Sequence, residues 1–252
     1  MIRFENVTKV LSRKTVLDDI SFEVGEGDTF VIVGLSGAGK SVTLKHMIRL
    51  MEPDQGSIVV DGESIHELKR SELGRVRSKF GVLFQGAALL QWMTVTDNVA
   101  LPLREHTRME EEEILRTVRE KLDMLGLGDA GDKFPVDISG GMRKRVGLAR
   151  AIIMNPQIIL YDEPTSGLDP VTSRRIDEMI MTMRRELGVT SVVVTHDLQS
   201  ALTIGSRIMM LHDGHVVENA VPEEFIQSKD ETVQRFLASQ YITEKGKWEA
   251  FG

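Results

Sequence analysis

The stretch Phe30-Val31-Ile32-Val33, followed at once by Gly34-Leu35-Ser36-Gly37-Ala38-Gly39-Lys40-Ser41, decides how this sequence folds. Four apolar residues in a row read as a strand buried on both faces, and helical spacing begins at Ser41. A glycine-rich loop between strand and helix lets the backbone curl, so that successive N–H groups and the helix N-terminus point at one anion. Lys40 then reaches the β- and γ-phosphates, and the Ser41 hydroxyl is placed for Mg2+. An ordinary glycine turn would account for Gly34, Gly37 and Gly39, but for neither the Lys40–Ser41 pair nor the strand before it. The phosphate-contacting set is therefore Gly34, Leu35, Ser36, Gly37, Ala38, Gly39, Lys40, Ser41 and, opening the helix, Val42.

The remaining composition fits a compact enzyme. The 252 residues are 41% hydrophobic and 27% charged, enough for one large domain or two small ones. With no cysteine, there is no disulfide framework, thiolate metal site or cysteine nucleophile, which points to the cytoplasm. The start MIRFENVTKV lacks a basic segment leading into a long apolar one, and no run approaches the ~20 apolar residues of a membrane span. Any membrane crossing is expected from another chain. A formal net charge of −7 argues against general affinity for nucleic acid or anionic lipid.

Short strands are expected at Ile2 to Val7, Ser21 to Val24 and Gly56 to Gly62, forming an antiparallel flap beside the nucleotide. Apolar runs at Gly81 to Phe84, Ile158 to Tyr161, Ser191 to Val194 and Arg207 to Leu211 suit a largely parallel sheet buried on both faces. Helices are expected over Ser41 to Leu50, Arg143 to Met154 and Val171 to Leu187, the last capped by Asp169 with Pro170 in its first turn. In that last helix Ile176, Met179, Ile180, Met183 and Leu187 read as ordinary core packing rather than a cofactor surface. Between Phe84 and Pro156 the pattern turns helical, with an acidic first turn at Glu110 to Glu113 and an apolar face of Ile114, Val118, Leu122 and Leu125. The fold class is therefore α/β, with a mostly parallel core, an antiparallel β subdomain and an α-helical subdomain inserted at about residues 86–155. The domain spans 1–230. The tail 231–252, with Val233, Phe236 and Leu237 at helical spacing, is the candidate dimer-contacting appendage.

Ile158-Ile159-Leu160-Tyr161-Asp162-Glu163 places two carboxylates at the C-terminal end of a buried strand, where ligands bind in open α/β sheets. Asp162 suits Mg2+ through its water shell, and Glu163 suits a general base on the attacking water. Gln85 likewise follows a strand. Thr195-His196-Asp197 brings an imidazole to the same edge of the sheet, within reach of a γ-phosphate, although a lone histidine is more often structural or exposed. Ile138-Ser139-Gly140-Gly141-Met142 precedes a helix, with Ser139 as a candidate N-cap and the glycines exposing N–H groups. On its own, Ser-Gly-Gly is only a loop.

Taken together and in order, the GLSGAGKS loop, Gln85, ISGGM, LYDEP, Ser166-Gly167-Leu168-Asp169 and His196 resemble the ATP-binding cassette ATPases over residues 1 to 230. The resemblance implies the P-loop NTPase fold of that family, ATP and Mg2+ as cofactors, and ATP hydrolysis. It further implies a head-to-tail homodimer sandwiching two ATP molecules, each held by one chain's P-loop and by Ser139, Gly140 and Gly141 of the other. By the same matching Gln85 resembles the residue that contacts Mg2+ and senses the membrane partner. Asp169 resembles the residue coupling the two sites, His196 the γ-phosphate switch, and Glu163 the catalytic base. Ser41, Gln85 and Asp162 form the implied metal set.

A narrower resemblance lies in Val82 to Leu90, Thr96 to Ala100 and Leu101 to Thr107, together with the Met142 ending. These resemble the ATPase of Mla-type phospholipid transporters, which serve MCE-domain lipid carriers. This implies a peripheral subunit on the cytoplasmic face of the bacterial inner membrane, a separate transmembrane permease and an MCE-type lipid-binding subunit. The apolar Ala87 to Met93 segment is the expected permease contact, with Leu89, Leu90 and Trp92 in the subdomain's own core as the competing reading. Another cargo, such as polar amino acids or lipoproteins, is the alternative. Two departures stand out: Val10-Leu11-Ser12 offers no ring to stack on adenine, and Met142 stands where glutamine is common. Lys40 and Ser139 lie too close in sequence for the long coiled coils of the DNA-repair cassettes, and one set of motifs excludes the two-cassette translation factors.

Overall fold

The computed structural model describes residues 1–240. Met1–Arg77 together with the chain from Thr190 form one compact unit, and Ser78–Val189 form a second.

The first unit opens with β1 (Ile2–Leu11), β2 (Lys14–Val24), β3 (Thr29–Val33), α1 (Lys40–Met47), β4 (Gln55–Val60), β5 (Glu63–Ser64) and α2 (Leu73–Arg77). The second contains β6 (Phe80–Leu83), α3 (Val95–His106), α4 (Glu111–Met124), α5 (Gly140–Ile152), β7 (Ile158–Asp162) and α6 (Pro170–Leu187). The chain then returns to the first unit with β8 (Thr190–Thr195), α7 (Leu198–Ile204), β9 (Arg207–His212), β10 (His215–Ala220), α8 (Pro222–Phe225) and α9 (Glu231–Ser239).

In the first unit, β2, β1, β4 and β5 make the antiparallel sheet, while β10, β9, β3 and β8 lie side by side in that order. β3 pairs in parallel with both β8 and β9, and all five of its residues are buried. Phe4 of β1 stacks on Phe22 of β2 at 4.4 Å, and Phe22 stacks on Phe30 of β3 at 5.4 Å. This ring column fastens the antiparallel sheet to β3, each stack contributing about 0.5–1.5 kcal/mol beyond its area.

Both β1 and β2 are longer than the sequence pattern indicated. Their hairpin turns through Ser12 and Arg13, both with positive φ, between the paired Leu11 and Lys14. A two-residue turn of this kind normally announces itself with Asn-Gly or Asp-Gly, so Ser-Arg hid it. Register shifts between Phe4 and Val10 also break the alternation by which a strand is read.

α1 stops at Met47 instead of Leu50, because Arg49 takes a left-handed conformation and Leu50 is 56% exposed. The Arg49 guanidinium bonds the Leu68 carbonyl at 2.5 Å and Glu52, holding the reversal in place. α5 begins at Gly140, earlier than the expected Arg143, and ends at Ile152 rather than Met154. In α6, Ile176, Ile180 and Met183 are buried as core, but Leu187 is exposed at the last turn.

In the second unit β6 and β7 pair in parallel. α5 packs closely on β6: a Cβ at Gly81 would fall 2.2 Å from the Ala151 carbonyl oxygen, so only glycine fits there. Ile114, Val118, Leu122 and Leu125 are buried along α4, as its spacing predicts. Arg104 at the end of α3 bonds both Asp97 and Glu111, which ties α3 to the acidic first turn of α4.

The side chains of Val233, Phe236 and Leu237 on α9 are buried within the chain itself. Residues 241–252 of the expected tail lie outside the described residues.

Candidate active site

The glycine loop sits at the C-terminal end of β3. Because Val33 pairs with Thr195 of β8 and Met210 of β9, Gly34 and His196 are the next residues on adjacent strands. Gly34 (φ 149°), Gly37 (φ 83°) and Gly39 (φ 103°) all use backbone conformations that side chains resist. The three glycines do different work. A Cβ on Gly34 would fall 2.3 Å from the Leu211 carbonyl oxygen, and one on Gly39 would fall 2.8 Å from that of Val16. Gly37 faces open space. The loop is thus pinned to the protein at both ends and open in the middle, where a phosphate has room to approach the backbone.

Lys40 begins α1 and is 7% exposed. Its ammonium donates to the carbonyls of Gly34 at 2.8 Å and Leu35 at 3.1 Å, arching back over the loop. A cation held there, at a helix start whose dipole also favours negative charge, fits a polyphosphate. Leu35, Ser36 and Gly37 are exposed, Ala38 and Gly39 are buried, and Ser41 and Val42 are half-buried. His196 is exposed just past β8. Its neighbour Asp197 is committed to structure: it accepts from Ser200 N and caps α7.

In the second unit, Leu83 of β6 pairs with Tyr161 of β7, so Gln85 and Glu163 each lie two residues beyond one pair. Gln85 is exposed, Asp162 half-buried and Glu163 8% exposed. Glu163 has φ 49°, a left-handed conformation that a side chain with a Cβ adopts only under constraint.

Lys144, which sequence reasoning did not single out, lies between these two loops. Its ammonium donates to the carbonyls of both Gln85 and Glu163, the latter at 2.8 Å. Burial lowers the Lys144 pKa, opposed by the nearby Glu163 and Asp162 carboxylates.

Ser139 caps α5 as expected, accepting from Met142 N at 3.2 Å. A Cβ on Gly141 would crowd the Thr172 methyl, whereas Gly140 has space. Asp169 caps α6 by accepting from the backbone N–H groups of Val171 and Thr172, each at 3.0 Å, and from the Thr172 hydroxyl at 2.6 Å. The Thr172 bonds, foremost, hold its carboxyl below the usual range.

Asn98 is a second residue that sequence reasoning did not single out by itself. Fully buried, its side chain accepts from Leu90 N and donates to the carbonyls of Leu90, Met93 and Thr94. It thereby shapes the loop bearing Trp92, which is 74% exposed. Leu89 on the same segment is buried at 7%, so it belongs to the unit's own core rather than to a contact surface.

Residues 17–166 match the ABC transporter family. The chain belongs to that family. It is 43% identical over 241 residues to the probable ribonucleotide transport ATP-binding protein mkl of Mycobacterium leprae, covering 96% of this chain and 70% of that protein. It is 39% identical over 244 residues to the methionine import ATP-binding protein MetN 1 of Salmonella typhimurium, covering 95% and 71%.

Among solved structures, the dimeric post-hydrolysis state of the ATP-binding cassette MJ0796 bound to ADP and Pi matches with a TM-score of 0.81 and 35% identity, over 88% of this chain and 99% of that one. The structure of cbiO1 from Clostridium perfringens, part of the ABC transporter complex cbiONQ, matches with a TM-score of 0.82 and 26% identity, over 95% and 94%. This ABC protein therefore has the P-loop ABC ATPase fold and is an ATP-hydrolysing cassette that uses ATP and Mg2+. Among the described residues no helix is long and apolar enough to cross a membrane.

Proposed function

We propose that this ABC ATPase drives a separate transmembrane permease, works as a head-to-tail homodimer around two ATP molecules, and energises phospholipid transport. What supports the phospholipid reading is one resemblance: residues 82–107, with Met142, resemble the Mla-type ATPases. An MCE-type lipid-binding subunit and a peripheral place on the cytoplasmic face of the inner membrane belong to the same reading. Residues 1–230 act as the cassette, with the helices after Gln85 as its inserted subdomain.

The residues take the following roles. Gly34 to Val42 bind the phosphates, with Lys40 neutralising their charge. Ser41, Gln85 and Asp162 are the residues that would hold a metal ion, which would supply charge neutralisation on the phosphate oxygens. Glu163 accepts a proton from the attacking water, and His196 holds the γ-phosphate end. Ser139, Gly140 and Gly141 contact the partner's nucleotide, and Asp169 stands where the two sites communicate.

A second cargo class, polar small molecules, is favoured by the similarity to proteins named for ribonucleotide transport and methionine import. Purifying the intact complex from its native membrane, identifying its other subunits and extracting bound lipid separates the two. Phospholipid held by an MCE-type subunit supports the first reading. A lipid-free complex with a polar-solute-binding subunit supports the second.

A further inference from the structure

One face of α5 holds the segments that carry Gln85 and Glu163. Lys144, Gly147 and Arg150 are spaced three apart and therefore share a side of the helix. At the centre, a Cβ on Gly147 would fall 3.0 Å from Ala87 Cβ and 2.8 Å from Leu83 Cδ1, so the glycine lets the segment after β6 lie directly on the helix. On one side Arg150 donates to the carbonyls of Ala87 at 2.7 Å and Ala88 at 2.8 Å. On the other, Lys144 donates to those of Gln85 and Glu163.

The residues so held are unusual ones. Ala87 (φ 59°), Ala88 (φ 48°) and Glu163 (φ 49°) all adopt left-handed backbone without being glycine. Such conformations persist only where the surroundings over-determine them. Lys144 is 5% exposed, and a buried ammonium is tolerated only when its donors are taken up. Carbonyl oxygens from two separate loops take them here.

We propose that Lys144 is a positioning residue for ATP hydrolysis, fixing the backbone of Glu163 and of Gln85 from a single point on α5. The helix that starts at Ser139 is thereby joined through one side chain to the carboxylate that receives the proton and to the loop that follows β6. This rests on the role of Glu163 proposed above. The effect of Lys144 passes through the two carbonyls it holds.

The test is steady-state ATP turnover by the full chain carrying Lys144→Met, with Lys144→Arg and Glu163→Gln measured alongside. Displacing a catalytic group by about an ångström costs on the order of a hundredfold in rate. Lys144→Met is therefore expected to lower kcat at least about tenfold with KM within about twofold, and Lys144→Arg, which keeps charge and donors, to restore most of it. Should Lys144→Met fail to fold, Lys144→Gln, which retains one donor group, takes its place with the same expected split.

A kcat within about twofold of wild type in a folded variant overturns the positioning role. So does a parallel loss in kcat, nucleotide binding and thermal stability that arginine does not rescue, since that is the mark of a purely structural residue. If Glu163→Gln itself turns over normally, the failure lies with the base assignment instead.

Discussion

Val33 on β3 pairs in parallel register with Thr195 on β8, so Gly34 and His196 leave neighbouring strands at the same level. The glycine loop and the backbone of His196 are thereby set side by side by sheet register alone. His196→Ala is expected to keep ATP affinity within about threefold while lowering turnover about a hundredfold, the scale of a lost positioned polar group. Nucleotide titration and phosphate release on the same preparation check it. A loss confined to affinity would place His196 in binding rather than in turnover.

Leu89 and Trp92, three residues apart, are expected to behave in opposite ways. Leu89→Asp buries a charge and should cost ~3 kcal/mol or more, seen as unfolding at lower denaturant. Trp92→Asp should fold and bind ATP normally but leave the membrane fraction, because an exposed aromatic of this kind is a natural interface anchor. Asn98→Ala, by orphaning the loop's backbone groups, should cost about 1–3 kcal/mol and weaken membrane association as Trp92→Asp does. A folded Trp92→Asp variant that stays with the membrane fraction contradicts the docking role.

His46 makes stability depend on pH. It is fully buried, and its Nδ1–H donates to the Val42 carbonyl at 2.7 Å. Desolvation, foremost, holds its pKa below the ordinary 6.5, with the Val42 bond pulling partly the other way. The unfolded chain takes up a proton near that value which the folded chain refuses. The contribution of His46 is therefore fully present above pH 6.5 and is lost as pH falls from there towards the folded-state value. Thermal melts at about pH 7.5 and about pH 5.5 should show a smaller difference for His46→Leu than for wild type. An unchanged difference would remove His46 from the acid response.

The loop that decides the fold was legible because each of its residues has a local reason: the buried strand, the glycines and the Lys40–Ser41 pair. Asp169 and Ser139 were legible as caps for the same reason, since an N-cap bonds within its own turn. Lys144 and Asn98 were not legible, because their partners are carbonyls of loops whose shape the side-chain sequence does not display. The strands of the β1–β2 hairpin are legible but their turn is not, because Ser12 and Arg13 occupy positions that ordinarily call for glycine or asparagine. Leu187 and the end of α1 depart from the spacing because spacing reports a helical face but not where the core ceases to cover it.

If Ser139 of one chain serves the nucleotide on Lys40 of the other, mixing two inactive variants should restore function. Combining Ser139→Arg with Lys40→Ala leaves one composite site intact in the mixed dimer and places both defects in the other. Nucleotide occlusion should then appear in the mixture and in neither variant alone. Occlusion by isolated monomers, or none in the mixture despite confirmed mixed dimers, would contradict the shared sites.

The central claim, that Glu163 is the base for ATP hydrolysis, is tested most directly by phosphate release from Glu163→Gln beside Lys40→Ala. The amide keeps shape but not basicity, so turnover should fall ~10²–10⁴-fold while ATP stays bound and the dimer accumulates. Near-wild-type turnover by Glu163→Gln, under conditions where Lys40→Ala is inactive, would contradict the account.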